Sequence, residues 1–455
     1  MSSPNFVILG AGISGLALAW FLKKRHHSAT ITILEKDRRP GGWIRTETSQ
    51  GFLVEKGPRS CRSRGNGIET LRLIEELGLE EEWIGASPES ILRYLYTDNR
   101  LQCLPTNLTS FFTSPLMKGV FSALIREWQK PASNKEDESI YDFISRRFNP
   151  HIAQLFIDPL TSGIYAGNIQ ELSMQSCFPE MFHREKKYGS LSKAWLFEKL
   201  KYRSTTTTSS FVENAKKSPI FSLRSGMETL VKSLSHHLSE HLQLESWAVS
   251  LQKSARGIEV HTSYNQIIEA DQVFIALPFH ATEHLISPFV DTISPIASCS
   301  VSVVNLAWNH NVLNRSGFGY LVPSQEQQDV LGVVWDSSVF PQQNQSPNET
   351  RLTVMLGGAH RPDIPLMPES AVNQLALNAI EKHLGIHALP DMIHTSVASH
   401  AIPQYAVGHQ ERIKGLEFAL SESTASRIQL LGASWKGVSV NDCIANAKKM
   451  AFTSF

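Results

Sequence analysis

Neither sign of charge dominates this sequence: 43 lysines and arginines face 43 aspartates and glutamates, and the pI is near 7.3. Lacking a basic surplus to neutralise phosphates, the chain is not a dedicated nucleic-acid binder. Cysteine is scarce. Cys61, Cys103, Cys177, Cys299 and Cys443 are odd in number, scattered and never spaced CxxC. That excludes a disulfide framework, a zinc ribbon and a thioredoxin-type redox pair, and it fits a reduced, cytosol-facing compartment. Charged residues make up 19%, below the typical ~25%, a mild hint of extra apolar surface. The one uncharged run of membrane-span length, residues 6–22, has no basic segment before it and is broken by three glycines in its front half. With 42% hydrophobic residues the chain of 455 is no disordered polymer, and its length suits roughly three domains at ~150 residues each.

Those three glycines have a chemical reading. Phe6-Val7-Ile8-Leu9 is an apolar run suited to a strand buried on both faces. It enters Gly10-Ala11-Gly12-Ile13-Ser14-Gly15, then a helix-like stretch to Leu22, then the alternating strand Thr30-Ile31-Thr32-Ile33-Leu34, ending on Glu35. Strand, glycine turn, helix, strand and acid at this spacing form a dinucleotide-binding unit. Gly10 permits the turn, Gly12 admits a pyrophosphate and Gly15 lets helix and strand pack closely. The helix N-terminus offers free N–H groups to phosphate, and Glu35 accepts from a ribose.

The residues after the acid select flavin over nicotinamide. Arg39-Pro40-Gly41-Gly42-Trp43-Ile44-Arg45 resembles the double-glycine segment of flavin-containing amine oxidases, and Glu55-Lys56-Gly57-Pro58-Arg59-Ser60 follows. Gly57 is expected to let backbone pass close under a flavin ring, where a Cβ would collide. At Gly-Gly-Trp-Ile-Arg and Gly-Pro-Arg the resemblance narrows to the oxygen-dependent protoporphyrinogen oxidase family. It continues through residues 158–167, 171–179, 221–227, 317–323 and 352–358 to the closest stretch, residues 431–443, while residues 109–138 and 204–210 match poorly.

The resemblance implies an α/β (α+β overall) architecture: a Rossmann-like FAD-binding domain, a mixed-sheet substrate domain and a helical insertion. The expected boundaries are residues 1–85, 217–283 and 410–455 for the first, 86–100, 205–216 and 284–409 for the second, and 101–204 for the third. It implies one non-covalent FAD lined by Gly10, Ala11, Gly12, Ile13, Ser14, Gly15, Glu35, Lys36, Trp43, Gly57, Pro58, Arg59, Ser60, Ala433, Val438, Ser439 and Val440, with an adenine-side backbone contact on or beside Ser246. It implies a porphyrinogen substrate held by Arg59, Arg93, Leu160, Gly163, Phe318, Gly319, Leu321 and Met355, and molecular oxygen as acceptor. Arg59 and Arg93 would bind propionates, since guanidinium pairs with carboxylate bidentately. The flavin carries the redox chemistry, so no catalytic side chain is required.

Residues 440–451 read as a helix whose N-terminus would stabilise a reduced flavin, with Asn441 or Asp442 as its cap. His280 and His284, four apart, and His236, His237 and His241 read as solvated faces, so no metal site is expected. The apolar residues 111–125, bounded by Lys118, Arg126 and Lys130, fit either a packed helix or an interfacial membrane contact, and the resemblance favours the second. Dinucleotide-binding residues start directly after Met1, with no room for a transit peptide, so the expected location is the cytoplasmic side, peripherally on the cytoplasmic membrane. A homodimer stays open. Coproporphyrinogen III oxidation, an amine oxidase and a non-catalytic flavin or porphyrin carrier are the rival readings.

Overall fold

A computed structural model describes residues 3–201 and 209–453; residues 204–208 of the Ser/Thr tract, and with them most of the 205–216 segment's start, lie outside the described residues. Asn5–Leu9 is the central strand of a five-stranded, all-parallel sheet, flanked by Thr30–Leu34 and Leu242–Gln243 on one side and by Gln272–Ile275 and Ile428–Leu430 on the other. Parallel strands are covered on both faces, which is why the side chains of Phe6, Val7 and Ile8 are fully buried. Helix Ile13–Arg25 covers one face, packing Leu16 and Ala17 against Ile444 and Ala447 of helix Val440–Thr453. A three-stranded antiparallel sheet from residues 248–270 and helix His409–Thr424 cover the other. Helix Ser210–Ala215, expected with the substrate domain, instead buries Val212 and Ala215 in the first of these cores.

A seven-stranded mixed sheet runs in the order Met392–Pro403, Ser298–Trp308, Thr350–Gly357, Val330–Val334, Gly319–Leu321, Arg93–Thr97 and Arg100–Cys103. Helix Glu369–Leu384 seals one face, with Val372, Ala376 and Ile380 on Val304, Leu306 and Val354. Helix Asp158–Tyr165 lies against the other face near Leu321. Strand Arg100–Cys103 belongs to this sheet, so the helical region begins after it. That region holds a buried charge cluster: Arg147 and the carboxylates of Glu127 and Glu185 are fully buried, and Arg147 also donates to the carbonyls of Lys130, Pro131 and Gly189. Every charge there has a partner, as burial requires.

Candidate active site

Four chain segments leave the carboxyl ends of adjacent parallel strands: Gly10 after Leu9, Glu35 after Leu34, Ala276 after Ile275 and Leu431 after Leu430. Open α/β sheets bind ligands at that edge. Gly10 has φ +99°, and a Cβ there would lie 2.8 Å from the Ala276 carbonyl; at Gly15 it would lie 2.0 Å from the Gly10 carbonyl. A Cβ on Gly12 would meet nothing within 4 Å, and helix Ile13–Arg25 starts there without a side-chain cap. The space beside Gly12 is open and the helix's first N–H groups have no side-chain cap, the two conditions a bound pyrophosphate needs.

Glu35 Oε2 accepts from the Ala11 N–H at 2.8 Å and Oε1 from the Asp37 N–H at 2.9 Å, which orients the carboxylate while burial raises its pKa. Ser246 N–H donates to the Glu35 carbonyl at 2.9 Å, so the expected adenine-side position lies beside the ribose acid. Lys36 is exposed next to it. Gly41 N–H donates to the Ala11 carbonyl at 2.8 Å, laying the double-glycine segment along the same loop, and the Trp43 indole beside it is 48% exposed.

Gly57 needs its glycine for the sake of the chain itself. A Cβ there would fall 1.9 Å from the Trp43 carbonyl, so the collision is with the chain's own backbone. The turn of residues 432–435 comes back to the first loop: a Cβ on Gly432 would stand 3.5 Å from Ser14 Oγ. The N–H groups of Ala433 and Ser434 have no acceptor among the described residues. Helix Val440–Thr453 begins with a reciprocal cap in which Ser439 is the N-cap and Asp442, one of the two residues proposed, accepts from the Ser439 N–H at 3.4 Å. Ser439 Oγ accepts from the Asp442 N–H at 3.1 Å and donates to Asp442 Oδ2 at 2.6 Å, because the serine precedes the first helical residue. Asn441 is a tether instead, with Nδ2 donating to the Arg62 carbonyl at 2.9 Å and Oδ1 accepting from Thr70 at 2.7 Å.

The expected substrate residues converge by strand register. Gly319 pairs with Arg93 and with Val334, and Leu321 pairs with Gly332, which pairs with Met355. Positions two apart point the same way, so Arg93, Gly319, Leu321 and Met355 share one sheet face. In the middle of that face Gly319 and Gly332 are glycines because the chain itself is close: a Cβ would lie 2.1 Å from the Val333 carbonyl at the first and 2.6 Å from the Tyr320 carbonyl at the second. A Cβ on Gly163 would lie 2.9 Å from Leu321, setting helix Asp158–Tyr165, with Leu160, over the same face. Phe318 lines its rim with Arg93 stacked over its ring at 5.3 Å. Partial desolvation and the neighbouring Arg62 hold the Arg93 pKa below its usual value.

Sequence reasoning missed three groups here. Arg62 is exposed and, like Arg93, pairs with no carboxylate among the described residues. Asp336 holds Arg59: its Oδ1 accepts from the guanidinium at 3.2 Å, and its Oδ2 lies 2.6 Å from the Thr353 hydroxyl. Arg59 is thus less free for a propionate than its position in the turn suggested. Glu55, 5% exposed, accepts from the Met227 N–H at 2.7 Å and the Thr46 hydroxyl at 2.9 Å, and burial pushes its carboxyl up to about 7. With Arg59 and Asp336 it lines a small cavity beneath the sheet face. Strand register pairs Asn305 with Thr353, and only the packing of distant segments adds Glu55, Arg59 and Asp336 to them, which no spacing in the sequence signals. His280, His284, His236, His237 and His241 form no metal cluster, nor does any other such group among the described residues.

A glycine-lined dinucleotide cradle, joined through the Arg59–Asp336 pair to a mixed sheet with a cationic rim, defines the class as a flavoprotein. The chain belongs to the flavin containing amine oxidoreductase family, whose sequence profile matches residues 13–451. It is 35% identical to the human protoporphyrinogen oxidase over 98% of this chain and 97% of that protein. It is 28% identical to the coproporphyrinogen III oxidase of Bacillus subtilis, over 98% and 96% respectively. Among solved structures it is similar, with TM-score 0.81 and 24% identity over 100% and 99% of the two chains, to a protein from Exiguobacterium sp. 255-15 provisionally assigned as a protoporphyrinogen oxidase.

Proposed function

We propose that the protein is an FAD-dependent oxidase that converts protoporphyrinogen IX to protoporphyrin IX. The observation that carries the reading, in a chain similar end to end to the human enzyme, is that the turn leaving the dinucleotide cradle is tied by the Arg59–Asp336 pair to a sheet region whose edge carries the unpaired Arg93. FAD, when bound, supplies the two-electron oxidant, used three times per macrocycle and regenerated by oxygen with release of hydrogen peroxide. The chain's own part is to bind and orient. Leu160, Leu321, Phe318 and Met355 give a flat tetrapyrrole apolar walls. Arg93 and Arg62 suit its propionates as charge-assisted donors. Arg59, braced by Asp336, orders the turn between cradle and sheet face.

The test is anaerobic mixing of the purified holoprotein with protoporphyrinogen IX. Bleaching of the flavin absorbance is expected without oxygen, and peroxide with porphyrin fluorescence on admitting oxygen, since one flavin takes only two of the six electrons. Faster reaction of coproporphyrinogen III would favour the second reading, which the similarity to the Bacillus subtilis protein supports. No reaction with either would refute both.

The reading extends to location: the protein sits peripherally on the cytoplasmic face of a membrane. In helix Val120–Glu127 and its flank, Phe121, Ile125 and Trp128 point outward together, and Phe112, 66% exposed, packs edge-on to Phe121 at 5.8 Å. An outward apolar stripe beside Lys118 and Arg126 suits the headgroup layer better than water. No helix among the described residues is long and apolar enough to cross a membrane. Flotation with anionic vesicles is expected for the native chain and lost in Phe121→Glu/Ile125→Glu; equal flotation of both would sink the assignment.

A further inference from the structure

The segment Gln404-Tyr405-Ala406-Val407-Gly408-His409 links the last strand of the seven-stranded sheet to helix His409–Thr424. Nothing in its sequence marks it as part of a cofactor site. Two of its side chains nonetheless reach across to the turn of residues 432–435. Tyr405, 1% exposed, donates its hydroxyl hydrogen to the Ala433 carbonyl. Its ring stacks on His409, with centroids 4.2 Å apart and planes at 21°. His409, 2% exposed, places Nε2 at 3.1 Å from the Trp435 carbonyl. A carbonyl only accepts, so this nitrogen carries the proton, and burial keeps the ring neutral by lowering its pKa to about 4.

The consequence follows from peptide planarity. The Ala433 carbonyl and the Ser434 N–H belong to one trans peptide and point in opposite directions. Fixing the carbonyl on Tyr405 therefore aims the Ser434 N–H away from Tyr405. That N–H and its Ala433 neighbour are the ones without an acceptor, in a turn that abuts Ser14 of the glycine loop. The Lys436 N–H closes the turn onto the Gly432 carbonyl at 3.3 Å, and His409 holds the carbonyl of that same Trp435–Lys436 peptide.

The other side of the segment is anchored in the helical region. Ser173 N–H donates to the Tyr405 carbonyl at 2.7 Å, Gly408 N–H to Asp137 Oδ2 at 2.8 Å, and Gln404 Nε2 to the Tyr165 carbonyl at 2.8 Å. We infer that Tyr405 and His409 are positioning residues that hold the Ala433–Ser434 peptide for the flavin, using the helical region as their fixed point. This rests on the flavin reading above.

The test uses the full-length chain, stripped of flavin and titrated with FAD while flavin fluorescence is followed. Tyr405→Phe and His409→Phe keep the rings and the stack but leave a buried carbonyl without its donor, and each should weaken FAD binding roughly ten-fold. His409→Gln, which restores an N–H near the Nε2 position, should recover most of that loss. Tyr165→Phe is the matched control. It removes a hydrogen bond to the Cys177 carbonyl in the same packed joint, yet should leave FAD affinity within about two-fold while lowering Tm comparably. Wild-type affinity in both Tyr405→Phe and His409→Phe, or an equal loss in Tyr165→Phe, would overturn the inference, since the pair would then serve the fold alone. Failure of the unaltered chain to bind FAD would instead overturn the flavin reading beneath it.

Discussion

Glu55→Gln should make this protein more stable at neutral pH, and by an amount the structure sets. The Glu55 carboxyl is 5% exposed and burial raises its pKa from 4.5 to about 7; the Met227 N–H and the Thr46 hydroxyl, and Arg59 more weakly, only partly oppose this. A folded-state pKa above the unfolded value means that the folded chain holds the proton more tightly. The associated stability is fully present below pH 4.5 and is lost as pH rises through 7. At ~1.4 kcal/mol per pH unit across that window, the loss comes to about 3 kcal/mol. Glutamine mimics the protonated acid and does not titrate. Buried His383 and His409 work in the opposite sense: both pKa values are lowered from 6.5 to about 4, so their contribution grows as pH rises between those values. Their effect cancels when the two proteins are compared at each pH. Urea unfolding of wild type and Glu55→Gln at half-unit steps from pH 4.5 to 7.5 is the assay. The stability difference should shift in favour of the variant by about 3 kcal/mol, most steeply between pH 5 and 7. Parallel curves would refute the raised pKa, and a shift of opposite sign would mean that Arg59 dominates the carboxylate's environment.

Glycines of the cradle should separate into two kinds. Gly12→Ala, with open space around the new methyl, should keep the fold and Tm but lose FAD; Gly15→Ala and Gly57→Ala, whose methyls meet carbonyls at 2.0 and 1.9 Å, should cost ~1–3 kcal/mol of stability or more. Thermal melts of the flavin-free chains, run beside FAD titrations, check both halves, and a destabilised Gly12→Ala would contradict the open cradle. Arg93→Ala and Arg62→Ala should each raise KM for the porphyrinogen roughly ten-fold with little change in kcat, because uniform binding of a remote carboxylate is lost. Steady-state porphyrin fluorescence decides this, and a pure kcat defect would move either arginine into the reacting geometry.

Some parts of the site could be seen along the chain because their physics is local. The residues from Phe6 to Glu35 form strand, turn, helix and strand from their own apolar periodicity and glycines, and the structure places Gly10, Gly12, Gly15 and Glu35 at one sheet edge. The helix at 440–453 likewise follows its own pattern. Where local reasoning misled, a distant segment had intervened. Of Asn441 and Asp442, the two candidate caps, only Asp442 joins Ser439 at the helix start, because Thr70 and the Arg62 carbonyl hold Asn441. Arg59 looked free in its turn until Asp336, 277 positions on, was brought beside it.

The sequence by itself determined the dinucleotide unit, the class of cofactor and the absence of a charge surplus, since each depends on residues close together or on the whole composition. Only the tertiary structure decided which side chains share the pocket face, which arginines remain unpaired and how Tyr405 and His409 reach the 432–435 turn. Strand register and the packing of distant segments set those relations, and a linear pattern carries no record of which strands will lie side by side.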